Sequence, residues 1–397
     1  MFRSLIDRFG AWPLVTMAAL VGIGVLFLIP GLFATVSSSF GDPIEDLPYG
    51  RDLRAFMGAG DLAAQRDGAS LYDPSAPEYA ATDASDFVNP PWYAMAMIPI
   101  ASIPFDLLWI VWCVVGIVVL WWTLARLDLA RADRWVAGSL LSLAGVLTVF
   151  YGQNAFFMAA ILALAVAALD RSAVTSGSLF ALAAFKPHLL LGFVVWWLYD
   201  LSGRWRLILW ASVATATLVG VSAVWMPDAW PAFFEALGDG ELVVDAREVS
   251  LVSAVRLLVG DTGVALYSLV GLAIVGVISA LLIGLRQSGG DTRIEAGLAV
   301  IACLLLTPRA LAYDWILLLV ALALLVGTDV VDTRTLVAWA AGLGAILAVS
   351  FLLNDLQLDR WDRAISLAPL TLLVGFGLLI ARVGTWSEAR GMSAGTP

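Results

Sequence analysis

Residues 173–200 read AVTSGSLFALAAFKPHLLLGFVVWWLYD. The run is apolar and long enough for a membrane helix, which needs about 20 such residues. Lys186, Pro187 and His188 stand in its middle: the only lysine of the chain, a helix breaker, and the only histidine. An ammonium near the centre of a bilayer costs roughly 3 kcal/mol or more, so a lysine in a membrane helix points to function. The plainer reading is a lysine that snorkels to an interface beside a loop. Pro187, which interrupts the helical hydrogen bonding, fits a break at this point under either reading.

The rest of the chain has the same character. Of 397 residues, 61% are hydrophobic and 14% are charged. Apolar runs of about 20 residues recur from end to end, the pattern of an all-α polytopic membrane protein. With 32 acidic residues against 22 basic ones, no basic face is available for nucleic acid. Cys113 and Cys303 both lie inside apolar runs, which argues against a disulfide framework or a Cys-rich metal site. A single histidine leaves almost no material for a zinc site or a Ser-His-Asp triad. Acid–base chemistry therefore falls mainly to carboxylates.

Arg3 and Arg8 precede an apolar stretch near 12–36 that is longer than a secretory h-region and reads as an uncleaved first helix, although Ala34-Thr35-Val36-Ser37 resembles a cleavage site. With the N-terminus cytoplasmic, short segments on that side collect 13 of the 21 arginines, among them Arg126, Arg171, Arg204, Arg206, Arg286, Arg293 and Arg382. Short basic loops set orientation by the positive-inside rule. The longer acidic loops 37–91, 227–261 and 353–363 then face the periplasm of a bacterial inner membrane.

For Arg171 and the Arg204/Arg206 pair to share one side, the opening stretch must run out and back, with Lys186-Pro187-His188 at its tip. Each arm has about 13 residues, roughly 20 Å of helix, which is short of a full hydrocarbon core. The pattern recurs where 135–150 and 155–169 flank Tyr151-Gly152-Gln153-Asn154, and where 294–306 and 311–327 flank Thr307-Pro308-Arg309. Short helices with polar tips are tolerated at membrane depth only where they line a cavity or are buried in protein. Three tips converging on one polar cavity satisfy that rule. About twelve transmembrane helices result, near 12–36, 104–125, 135–150, 155–169, 173–185, 188–200, 207–226, 262–285, 294–306, 311–327, 335–352 and 364–382. Several are short or broken, both termini are cytoplasmic, residues 1–390 form one transmembrane domain, and 391–397 read as a disordered tail.

The loop 37–91 holds ten acidic residues against three arginines and is too long to be only a connector. Residues 50–67 place Leu53, Phe56, Met57, Gly60 and Ala64 on one helical face, which predicts an amphipathic interfacial helix with Arg51 and Asp52 at its start. Leu71-Tyr72-Asp73-Pro74 reads as a turn. Asn89-Pro90-Pro91-Trp92 opens a short apolar helix that Pro99 and Pro104 separate from the next span. The loop 227–261 alternates acidic and apolar residues and reads as a second amphipathic helix over the cavity mouth, or as a solvated loop.

The polar groups available to the cavity are Asp52, Asn89, Gln153, Asn154, Lys186, His188, Arg309, Tyr313 and Asp314, with Arg51 beside Asp52. Cations with amide donors suit a phosphate, Lys as a point charge and Arg as a fork. A carboxylate within reach of a hydroxyl can take its proton. Simpler roles compete: Gln153 and Asn154 as helix caps, Asp314 as a structural partner of Arg309, His188 as a hydrogen-bonded neighbour, and Asp42, Glu45, Asp46 and Asp61 as alternatives to Asp52.

Taken in order, these signals resemble the polyprenol-phosphate-mannose-dependent membrane mannosyltransferases of glycosyltransferase family 87. The resemblance runs over roughly 12–330 and rests on Asp52 in a first-loop helix, Leu71-Tyr72-Asp73, Asn89-Pro90-Pro91, Gly152-Gln153-Asn154, Lys186-Pro187, Thr307-Pro308 and Tyr313-Asp314. It implies a C-type glycosyltransferase fold, a sugar donor on a lipid phosphate and a lipid or glycan acceptor. It also implies that Asp52 is the general base, with Lys186, Gln153 and Asn154 facing the donor. The family usually reads Tyr-Pro-Pro where this chain has Asn89-Pro90-Pro91, and some members carry a histidine pair where this chain has Tyr313-Asp314. Phosphate is a good leaving group, so no cofactor is expected, although the acidic loop leaves a divalent metal open. Two other functions fit parts of the pattern. A transporter or flippase of a lipid-linked sugar would use broken helices and a mid-membrane cation, and a non-catalytic envelope subunit would use the tips to bind partners.

Overall fold

The computed structural model of the chain describes residues 49–80, 87–127, 142–239, 249–259, 263–326, 328–355 and 367–391. Every regular element among them is helical. The first long loop forms Arg51–Gln65 (α1), Pro77–Ala80 (α2) and Pro91–Ala101 (α3), after which the chain enters Phe105–Arg126 (α4). Next come Leu143–Tyr151 (α5), Ala155–Ala167 (α6), Ala173–Ala183 (α7), Leu191–Tyr199 (α8) and Leu201–Trp225 (α9). The second long loop contributes Ala229–Asp239 (α10) and Leu251–Val259 (α11), followed by Val264–Gln287 (α12). Thr292–Leu306 (α13), Leu317–Leu325 (α14), Thr333–Asp355 (α15) and Leu367–Ala389 (α16) complete the order.

Four of these, α4, α9, α12 and α16, are long and apolar enough to cross a membrane. A fifth span results if the pair α5–α6, bent by 115°, counts as one. The other expected segments are helical over most of their described residues, but they are shorter or fall outside that group of long apolar helices. The expected helix at 12–36 lies outside the described residues, as does the expected tail apart from Gly391. Two boundaries differ from expectation. Helix α9 starts at Leu201, so Arg204 and Arg206 sit inside its first turns and not in the preceding loop. Pro99 lies within α3, and the break before α4 comes instead at 102–104.

The starts of the helices follow from local sequence. Ser142, Ser172, Asp200 and Asp291 each accept a backbone N–H of the following turn, at 2.9–3.2 Å, which satisfies donors that a helix start leaves open. Pro91 begins α3, and Pro187 begins a 3₁₀ turn, Pro187–Leu190, that leads into α8. At such positions proline loses no helical hydrogen bond.

Packing separates two kinds of helix. In the α13–α14 hairpin every residue from Ile294 to Leu306 and from Leu317 to Leu325 is buried, as expected of helices apolar on all sides. Gly192 of α8 lets the backbones approach, since a Cβ there would meet Ala299 O of α13 at 2.1 Å. By contrast, α9 and α12 are only 11% and 22% buried along their apolar windows, leaving surface that suits contact with lipid tails. One deeply buried acid sits at the end of the fold that holds the α13 start. Glu295 accepts Trp196 Nε1 at 2.9 Å, Arg204 Nη2 at 3.0 Å and Ser288 Oγ at 2.9 Å. A carboxylate so fully partnered escapes the cost of an unpaired buried charge.

Candidate active site

The opposite end of the fold collects the two long loops and the three helix breaks. Helix α1 lies where the pattern over 50–67 placed it, with Leu53, Phe56 and Gly60 buried as expected, Met57 half-buried and Ala64 exposed. Its start is fastened to the first break. Gly50 N donates to Phe150 O at 2.7 Å, and Trp109 Nε1 donates to Val149 O at 2.9 Å. Gly152 then turns the chain with φ 66°, and a Cβ on it would lie 2.6 Å from the Leu53 Cβ. Both the left-handed backbone and the close approach require glycine. Gly152→Ala is therefore expected to cost about 1–3 kcal/mol, read as lowered thermal stability in detergent, and to pull the tip away from α1.

That turn delivers Gln153 to Asp52. Gln153 Nε2 donates to Asp52 Oδ2 at 2.5 Å. Gln153 Oε1 accepts from Asn154 N at 3.2 Å and from Lys186 Nζ at 3.4 Å. Lys186 Nζ in turn donates to Asp314 Oδ1 at 2.7 Å, and both side chains of this ion pair are about one-tenth exposed or less, at 10% and 5%. Asp314 Oδ2 accepts Leu311 N at 3.0 Å, which fixes the carboxylate at the third break. A continuous run, Asp52–Gln153–Lys186–Asp314, thus joins α1 and all three breaks. Tyr313 lies against it, its ring centroid 4.7 Å from Lys186 Nζ.

Asp314 pairs with Lys186, which comes from another hairpin. Asn154 stands at the cap position of α6 but makes no side-chain cap; its Nδ2 donates to Tyr93 OH at 3.0 Å. Arg309 is exposed at the third tip, close enough for its charge to act on His188 and Tyr313. His188 is half-buried and also feels Asp314 and Lys186. Arg51, one residue before Asp52, has its Nε buried without a hydrogen-bond partner among the described residues.

Asn89 serves a joint. Its Nδ2 donates to Phe185 O at 3.0 Å, and its backbone oxygen accepts Tyr72 OH at 2.7 Å. The first loop is thereby tied to the residue just before Lys186. Tyr72 is more than a turn residue, although Asp73 does close the turn by accepting Ser75 N at 2.8 Å and Ser75 Oγ at 2.7 Å. Those bonds to the charged form hold the Asp73 carboxyl below its usual range. A train of rings continues the joint: Phe233 of α10, Tyr72, Phe87, Tyr93 and Phe185 stand 5.0–6.4 Å apart, centroid to centroid. Helix α10 therefore packs on the first loop through Phe233. Its partner α11 reaches the third break, where Val249 N donates to Ala310 O at 2.7 Å and Ser250 Oγ to Pro308 O at 3.1 Å. Sequence reading missed Tyr93, whose signal was its place in the first turn after Pro91. Among the described residues no group of three or more His, Cys, Asp or Glu side chains is gathered to hold a metal ion.

A helical membrane architecture with charged and amide groups converging on broken helices defines a class of protein that handles polar groups at a membrane. The family model of Glycosyltransferase family 87 matches residues 87–308, more than half of the chain, and the protein belongs to that family. It is a membrane glycosyltransferase. The match contains Asn89, Gln153, Asn154, Lys186 and His188; Asp52, Tyr313 and Asp314 lie outside it. Comparisons with curated proteins and with solved structures give no match.

Proposed function

We propose that the protein moves a sugar, most simply mannose, from a polyprenyl-phosphate donor to a lipid or glycan acceptor at the periplasmic face, by an inverting single displacement. The observation that carries this reading is the run Asp52–Gln153–Lys186–Asp314, which sets a carboxylate base and a buried cation a single glutamine apart. Asp52 takes the proton of the acceptor hydroxyl as its oxygen attacks the anomeric carbon. The new O–C1 bond forms while the C1–O bond to phosphate breaks, and the polyprenyl phosphate leaves with the bonding pair. Lys186 and Arg309 meet the charge that develops on the departing phosphate. Tyr313, Asp314, His188, Asn154 and Arg51 complete the walls for sugar and acceptor.

The basic short segments support the orientation that puts this site outside, with about twelve crossings in an inner membrane and both termini cytoplasmic. Purified full-length protein supplied with labelled polyprenyl-phosphate mannose and a lipid extract is expected to release polyprenyl phosphate and label an acceptor. Movement of labelled lipid across liposomes without consumption of the donor would support the flippase instead.

A further inference from the structure

We propose that Gln153 is a positioning residue for the base, acting through Asp52, and not a ligand of the donor. This rests on the reading of Asp52 as general base. The neighbours of the Gln153 side chain decide which way its amide points. An ionised carboxylate only accepts, so the group facing Asp52 must be the NH₂; an ammonium and a backbone N–H only donate, so the group facing Lys186 and Asn154 N must be the carbonyl. The distances agree with this orientation at both ends, 2.5 Å to Asp52 Oδ2, 3.2 Å from Asn154 N and 3.4 Å from Lys186 Nζ.

Both lone pairs of the Gln153 oxygen are thus engaged by protein donors, and one of its two N–H groups is held by the base. The residue is 7% exposed and follows the left-handed turn at Gly152, which packs so closely on Leu53 that a Cβ there would lie 2.6 Å from the Leu53 Cβ. Trp112 Nε1 donates to the Gln153 carbonyl oxygen at 3.3 Å and fixes its backbone. A side chain held by Asp52, Lys186 and Asn154 N is built to fix the rotamer of Asp52 on α1, one glutamine away from the lysine. It keeps the carboxylate aimed where an acceptor hydroxyl arrives.

The test compares Gln153→Met, Gln153→Glu and Asp52→Asn in the full-length protein. Turnover is measured with polyprenyl-phosphate mannose, and affinity with polyprenyl phosphate alone. For Gln153→Met the expected result is a kcat at least tenfold lower, with KM for the donor and Kd for polyprenyl phosphate within about threefold of wild type, the pattern of an interaction made only in the transition state. Gln153→Glu keeps the acceptors for Asn154 N and Lys186 but loses the donor to Asp52, and is expected to lose kcat as well. It decides the matter if the methionine variant fails to fold. A tenfold weaker Kd with kcat unchanged overturns the proposal and returns Gln153 to the donor site. If Asp52→Asn is inactive while both Gln153 variants turn over normally, only the positioning role fails. If Asp52→Asn keeps wild-type turnover, the base assignment fails with it.

Discussion

Asp52→Asn is expected to lower kcat by about 10²–10⁴-fold, the range lost with a general base, while leaving the fold and the donor affinity in place. The expectation is sharp because asparagine keeps an oxygen that can accept Gln153 Nε2, so the contact that joins α1 to the first break survives. What disappears is the ability to take a proton. Detergent-solubilised variant and wild type should therefore show the same thermal unfolding and the same affinity for polyprenyl phosphate. A variant that loses donor affinity along with turnover would make Asp52 a binding residue instead.

The second large effect concerns Lys186. Removing one member of a buried ion pair costs about 3–5 kcal/mol, because the remaining charge has no partner, whereas replacing both by apolar groups is often neutral. Lys186→Ala strands Asp314, which is 4% exposed, and is expected to destabilise the protein by about that amount. The pair Lys186→Met with Asp314→Leu should restore thermal stability to near wild type yet leave the protein without donor binding. Stability and function separate in this comparison. If the double variant regains transfer, Lys186 is a structural counter-ion and the phosphate is met elsewhere.

Much of this arrangement can be read from residue types before any coordinates. Apolar runs interrupted by Gly152-Gln153-Asn154, Lys186-Pro187-His188 and Thr307-Pro308-Arg309 announce short helices with polar tips, because backbone polarity inside a membrane demands a protein or water environment. The amphipathic spacing over 50–67 announces α1 and puts Asp52 in its first turn. Pairing is harder to read. Asp314 has Arg309 five residues away, yet it closes on Lys186, because packing of α13 and α14 brings hairpins together that the local pattern keeps independent. Asn89 shows the same difficulty: nothing in the local Asn-Pro-Pro pattern announces that its amide binds Phe185 O, 96 positions away. Glu295 was hidden for another reason. Charge counting assigns Arg204 to a loop, whereas in the fold it meets Glu295, which is buried and shared among Trp196, Arg204 and Ser288.

The long reach of the Lys186–Asp314 bond bears on how the chain is made. The two residues lie 128 positions apart, so the lysine is synthesised well before the acid that neutralises it. Until α13 and α14 follow, the hairpin α7–α8 carries an uncompensated cation into its surroundings, and the membrane interior penalises that charge. The tip is therefore expected to favour water while α9 and α12 insert, and to settle once residue 314 has emerged. A nascent chain cut short of that point would present an exposed, unpaired lysine to quality-control proteases. On this account the site is completed late in synthesis, when the carboxylate of Asp314 becomes available to Lys186.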